Sequence, residues 1–316
     1  MMTVTEKTTV YIVCPPHHAT GGIESLHQLA HKLNKQGIRA LIYYQPAIAA
    51  TEILPQYLAY TPQIATNIED EDWNILIIPE VYIDYSLDSL KKIRKIIWWL
   101  STDNYLQKQK RRNIPSLQRI RERGFYNLIQ SAYSKAFLAK NNIEANGYLS
   151  GYINPAFFAA RKAVNKQDAI MYNPKKGFEF TSRLMAAAPQ FNWVPLVNMT
   201  PAQIQAAFST NKLYLDFGNH PGRDRFPREA AAMYCCIVTG KRGTAAFPED
   251  LPIADEYKFD DDTATTEAII EKLEQCLNEY DYRINDFTFF RESVEQEEQR
   301  MESDIKKIFK TSVPVV

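Results

Sequence analysis

From its tenth residue the chain alternates apolar runs of strand length with segments of helical periodicity, and this alternation restricts the fold more than any other feature. Residues 10–14 form an apolar strand, 15–22 a loop, and 23–36 carry Ile23, Leu26, Ala30 and Leu33 at helical spacing. Gly37 is placed to stop that helix, and 38–44 read as a second strand. A strand, helix and strand within 44 residues make a βαβ unit, which builds parallel sheet. Further strands are expected at 74–78, 95–100, 125–131 and 148–152, with helices near 87–94 and 134–141. Together these make one doubly wound sheet of about 150 residues.

After a connector at 154–168 the alternation starts again. Strands are expected at 169–172, 192–197, 213–217 and 235–239, with helices ending near 188 and covering 202–209 and 227–233. Thr200, Pro201 and Gln203 form a capping box with proline at the first helical position. The expected fold is α/β, with two Rossmann-like doubly wound parallel-sheet domains facing a cleft at the carboxyl ends of their strands. Residues 1–155 form the first domain and 156–285 the second. Residues 286–316 form a C-terminal helix that packs back across the domains, with 287–309 read as one continuous helix after another at 267–278. A length of 316 residues fits two such domains with little room for insertions.

Charge and cysteine usage narrow the classes. The 37 basic and 37 acidic residues cancel, which removes a bulk electrostatic drive toward nucleic acid or an anionic bilayer. Residues 1–9 lack the pattern of a signal peptide and no apolar stretch approaches membrane-spanning length, so a cytoplasmic location is expected. Cys14, Cys235, Cys236 and Cys276 lack zinc-ligand spacing and read as core thiols. His27 and His31 lie four apart on a helix without the rest of a metal motif, and no metal site is expected. His17 and His18, in the first loop, are placed to contact substrate, and at least one of the strand neighbours Trp98 and Trp99 is core. Lys91, Lys92, Arg94 and Lys95, with Lys108, Lys110, Arg111 and Arg112, form a basic region around aromatic residues. It is either an ordinary solvated face or a place for peripheral contact with a membrane.

The segment 213–247 is the richest in chemistry. Pro227 suits a first helical turn, which places Glu229 in that turn and the loop 218–226 just ahead of the helix N-terminus. Free N–H groups and the helix dipole suit a phosphate there, Gly222 permits close approach, and the Arg223 and Arg225 guanidiniums match phosphate oxygens. The alternative is a solvent-exposed arginine loop in which Glu229 answers only to the dipole.

PREAAAMYCCIVTG, behind a strand and a glycine-containing loop, resembles the donor-site segment of GT-B glycosyltransferases of the family 4 type. The resemblance implies that Glu229 binds the ribose of a nucleotide sugar. The family carries a second Glu eight residues earlier; Pro221 stands there, and Asp224 or His220 is the substitute at hand. TGGIESLHQLAHKLNKQG resembles the family's N-terminal Gly-Gly loop and helix, implying that Gly21 and Gly22 admit donor phosphate and acceptor. SAYSKAFLAKNNIEANGYLSGYIN resembles the last strand, helix and strand of its acceptor domain. YNPKKGFEF resembles the turn with the basic donor-phosphate residues, which implicates Lys175 and Lys176. The family's Arg about five residues before its Lys is Ile170 or Met171 here, a charge that Arg223 or Arg225 would supply.

The resemblance implies transfer of a sugar from a nucleotide-sugar donor to a glycan or lipid-linked acceptor in polysaccharide assembly, retaining and independent of metal or cofactor. Neither nucleic acid nor a membrane span enters this expectation. Asp103, after a strand end, is the candidate base, with Asp224 beside the donor and Glu80 in a position like that of Asp103. The alternatives are a sugar-nucleotide epimerase or phosphorylase on the same fold, and a non-catalytic nucleotide-sugar binding protein.

Overall fold

The structure, a computed structural model, describes residues 1–83, 89–111, 114–159 and 165–311. Two compact units divide the chain: Met1–Tyr152 with Glu298–Val316, and Ile153–Glu297.

The first unit contains strands β1 (Met2–Val4), β2 (Val10–Cys14), β3 (Ala40–Tyr44), β4 (Ile75–Pro79), β5 (Arg94–Trp99), β6 (Tyr126–Ile129) and β7 (Gly147–Tyr148). Six form a parallel sheet in the order β3-β2-β4-β5-β6-β7. All five residues of β2 and of β4 are buried, because helices cover both faces of such a sheet, and strands of this kind read as unbroken apolar runs. Trp98 and Trp99, both fully buried, serve opposite faces and belong to different core clusters.

The second unit repeats the design with β8 (Gln167–Tyr172), β9 (Asn192–Pro195), β10 (Asn211–Asp216), β11 (Cys236–Gly240) and β12 (Lys258–Phe259), parallel in the order β12-β11-β10-β8-β9. Both sheets reverse their winding between the first strand and its neighbour, β2 beside β4 and β8 beside β10. Ligands of open α/β sheets bind beyond the carboxyl ends of the strands at such a switch point. The four cysteines are buried thiols, and the Thr200–Gln203 capping box opens the helix Pro201–Thr210.

Several sequence expectations require correction. The helix expected at 87–94 begins outside the described residues at Leu87, and of its described part only Ser89 has 3-10 helical character, residues 90–93 being irregular. The Asp70 carboxylate accepts the N–H groups of Lys91, Lys92 and Ile93 at 2.8, 2.9 and 2.9 Å, and β5 starts at Arg94. Helices Thr102–Lys110 and Leu117–Arg123, which the periodicity did not suggest, follow β5. The helix expected over 287–309 is two, Thr288–Glu295 and Glu297–Ile308, followed by β13 (Phe309–Thr311), which pairs with β1. Phe290 and Val294 of the first half enter the core of the second unit, whereas Met301, Ile305 and Ile308 enter that of the first.

His27 and His31 are engaged separately. His27 is fully buried, stacked on Tyr57 at 4.2 Å between ring centroids, with Nδ1 on the Ile23 carbonyl and Nε2 on the Tyr44 hydroxyl. His31 Nδ1 meets the Tyr60 carbonyl at 3.0 Å. Burial holds His27 down to about 4, so the folded protein keeps it neutral where an unfolded chain would protonate it. Its contribution is therefore complete above the ordinary value of 6.5 and is lost as pH falls toward 4, by roughly 3 kcal/mol in all. Urea unfolding at pH 7.5 and 5 should show this acid loss, and His27→Gln should remove most of it; an unchanged slope in the variant would refute the assignment.

Candidate donor site at the second switch point

Loops from β8, β10 and β11 converge at the carboxyl edge of the second sheet. The turn after β8 holds Lys175, Lys176 and Gly177, and Gly177 has φ +61°. A Cβ at Gly177 would run into the Phe217 carbonyl behind β10, so glycine is required there for both conformation and closeness. Gly243, also at φ +61°, brings the loop after β11 against the His220 backbone, where Thr244 N donates to the His220 carbonyl at 2.9 Å. The two loops at the switch point are thus stacked backbone on backbone, and the third braces them.

A chain of charges runs through this junction. Asp216, at the end of β10, accepts from the Tyr214 hydroxyl at 2.7 Å and from Gly218 N at 2.9 Å. His220 stands 3.5 Å from it through Nε2 and 3.5 Å from Asp224 through Nδ1. Asp224 Oδ2 in turn pairs with the Lys176 ammonium. Burial opposes charge on both Asp216 and His220, but each outweighs that penalty for the other. Asp216 is held down to about 2, and His220 is raised above its ordinary value, with Asp224 assisting. Asp216, His220 and Asp224 bring ligand-type atoms within 4.8 Å of one another, as a metal site would. Here the two ring nitrogens face different carboxylates at 3.5 Å, and the ring itself occupies the space between them.

The helix behind the loop is Arg225–Ala232. It starts two residues before the expected position. Asp224, in extended conformation, is the N-cap, and Pro227 is tolerated as the third helical residue because N–H groups of a first turn have no intrahelical acceptor. Glu229 consequently lies in the second turn rather than the first. The Asp224 side chain makes no capping hydrogen bond; its carboxylate is turned to Lys176 and His220. Fully buried Glu229 accepts from Arg225 Nε at 2.8 Å, with the other guanidinium nitrogen at 2.6 Å, while the Arg225 side chain remains about a third exposed.

The residues singled out from the sequence divide accordingly. Lys176, Asp224, Arg225 and Glu229 gather at the switch point, and Lys175 beside them is exposed. Arg223 is turned to Glu297 at 2.8 Å, as is Arg228 at 2.9 Å, with all three side chains buried; Arg223 therefore braces the loop in this structure. In the first unit, Gly21 and Gly22 open the helix Gly21–Lys35 behind β2, capped by the Thr20 hydroxyl. A Cβ at Gly22 would make only ordinary contact with Leu100, so the fold itself does not demand glycine there. Asp103 lies in the first turn of Thr102–Lys110 and accepts from the Tyr133 hydroxyl at 2.6 Å. Glu80, fully buried behind β4, accepts from Leu100 N at 2.8 Å; burial pushes its carboxyl up to about 8, and it ties the end of β4 to that of β5. Asp216, and the joining role of His220, were missed. An acid ending a parallel strand in LDFGNH is the signal that would have pointed to them.

No family model and no curated protein match the chain in sequence. Solved structures do match along nearly its whole length. HepE of Anabaena in complex with UDP and glucose has a TM-score of 0.68 at 13% identity, covering 95% of this chain and 98% of that one. Sucrose-phosphate synthase from Thermosynechococcus elongatus has 0.65 at 10% identity, covering 96% and 98%. An alpha-glucosyltransferase in complex with UDP and a 13-mer DNA containing an HMU base has 0.57 at 11% identity, covering 95% and 98%. At these identities the likeness is one of fold: two Rossmann-like domains of the GT-B glycosyltransferase type.

Proposed function

We propose that the chain is a glycosyltransferase that moves a sugar from a nucleotide-sugar donor to a glycan or lipid-linked acceptor. The observation that carries this reading is the gathering of Lys176, Arg225 and Glu229 at the switch point between β8 and β10, around the N-terminus of the helix Arg225–Ala232. Departure of a nucleoside diphosphate develops negative charge on phosphate, which a fixed ammonium, a guanidinium and a helix N-terminus stabilise. Glu229 is the acceptor for ribose hydroxyls once Arg225 turns to the phosphates. Solved structures of this fold that hold UDP, UDP-glucose, or UDP with glucose support the choice of donor class. The family 4 resemblance supports transfer with retention, in which the leaving phosphate takes the acceptor proton without a metal ion; Asp103 is then an auxiliary base.

No helix among the described residues is long and apolar enough to cross a membrane. A lipid-linked acceptor would be met by peripheral contact in the cytoplasm. Three members of the basic region already serve the fold, since Arg94 donates to the Thr3 and Trp73 carbonyls, Lys95 to that of Leu90 and Lys108 to that of Val81; Arg112 lies outside the described residues. The absence of net charge argues against a nucleic-acid acceptor, although one solved structure of this fold holds DNA. Pro221, where the family has a Glu that reads the donor sugar, favours a second reading: a binding protein that keeps the donor site without transfer.

Thermal shift against UDP, GDP, dTDP, ADP and CMP, followed by release of sugar from the matching nucleotide sugars, separates these readings. Stabilisation by one diphosphate with slow sugar release is expected for a transferase. Stabilisation without release favours the binding protein, and stabilisation by none refutes both.

A further inference from the structure

Lys176 is the ammonium placed to meet the donor phosphates, yet in this structure it is paired with Asp224. A lysine held by one carboxylate has much of its field cancelled before an anion arrives. His220 changes that balance, because its Nδ1 stands 3.5 Å from the same Asp224 oxygen. With the ring protonated, Asp216, His220, Asp224 and Lys176 sum to zero. With the ring neutral they sum to −1, and of these four groups only Lys176 then balances Asp224. The ring is 2% exposed, so solvent screens this exchange little.

We propose that His220 is a positioning residue for the donor site. When protonated, its ring shares the Asp224 carboxylate with Lys176 and thereby leaves the lysine available to a diphosphate, so that the charge on His220 sets the affinity for the leaving group. The inference rests on the donor-site reading above. The charged groups around His220 come from the following elements. β10 presents Asp216, itself held by Tyr214, and the loop before the helix presents Asp224. Lys176 arrives on the turn after β8. The loop after β11 presents the backbone of Gly243 and Thr244, and its Arg242 is occupied by Asp261 at 2.9 Å.

The test joins two measurements on the full chain. The His220 ring is titrated by NMR without ligand, and affinity for the diphosphate selected in the thermal-shift panel is measured by calorimetry from pH 7 to 9, where its terminal phosphate is already dianionic. The expected results are a His220 midpoint above 6.5 and an affinity that falls about tenfold as the ring loses its proton. At pH 7, His220→Gln should bind about tenfold more weakly than the unaltered protein with no slope between pH 7 and 9. Asp224→Asn, which puts a residue equally suited to the N-cap position there and releases Lys176, should bind several-fold more tightly, an effect that a merely structural role for Asp224 does not produce. A midpoint at or below 6.5, or equal affinity of His220→Gln and the unaltered protein at pH 7, overturns the proposal while leaving the donor-site reading intact. Binding of no diphosphate at any pH overturns both, and the titration then shows whether the charge chain itself was read correctly.

Discussion

Replacing Glu229 by Gln is expected to weaken nucleoside diphosphate binding by about 10- to 100-fold while leaving the second unit folded. The estimate follows from the roughly 1.5–3 kcal/mol of a hydrogen bond to a charged group, with each 1.4 kcal/mol a factor of ten. Glu229 is fully buried and holds Arg225 through two guanidinium nitrogens; in the proposed donor site its charge serves the ribose hydroxyls once Arg225 turns to the phosphates. Gln preserves the volume and one acceptor but releases the guanidinium. Calorimetric titration with the selected diphosphate, alongside a thermal melt, separates lost affinity from lost fold. An affinity within twofold of the unaltered protein would remove Glu229 from the site.

The largest expected effect on stability belongs to Glu297. Its two carboxylate oxygens meet Arg223 at 2.8 Å and Arg228 at 2.9 Å, and the side-chain exposures are 2%, 7% and 7%. Glu297→Ala leaves two buried guanidiniums without that carboxylate. Removing one partner of a buried pair costs about 3–5 kcal/mol, most of it from the charge left behind. Arg223 belongs to the loop ahead of the proposed donor site and Arg228 to its helix, so the loss should fall on the second unit. Urea unfolding, with hydrogen exchange of the amides in Arg225–Ala232, measures it. A loss under about 1 kcal/mol would mean that the arginines find other partners at little cost.

Much of the fold was legible because its signals are local. β2 begins and ends at the expected residues, since an apolar run flanked by loop residues is what a strand covered on both faces requires. The capping box at Thr200 was legible because all its partners lie within four residues. Helix Leu117–Arg123 was missed although Ser116 caps its start and Gly124 ends it in the left-handed region; with Ile120 its only buried residue, it offers no apolar stripe to a periodicity search. The break at Gln296 was hidden for the opposite reason. Phe290, Val294, Met301, Ile305 and Ile308 follow helical spacing straight through it, and spacing does not record that the two halves serve different cores.

By itself the sequence determined two parallel α/β sheets, the glycine-bearing turns at their strand ends, and the segment around Glu229. Each depends on residues close together in the chain. The tertiary structure alone decided which charges meet. Lys176 and Asp224 are 48 residues apart, and Arg228 and Glu297 are 69 apart. Lys176 and Asp224 pair because their loops become neighbours only when β8 and β10 lie side by side, a consequence of sheet order and of a Gly177 turn that fits against the Phe217 backbone, whereas Arg228 and Glu297 pair because the helix Thr288–Glu295 packs on Arg225–Ala232. A basic or acidic residue in the sequence is a charge of known sign. Packing determines whether that charge is spent within the fold or left for a ligand.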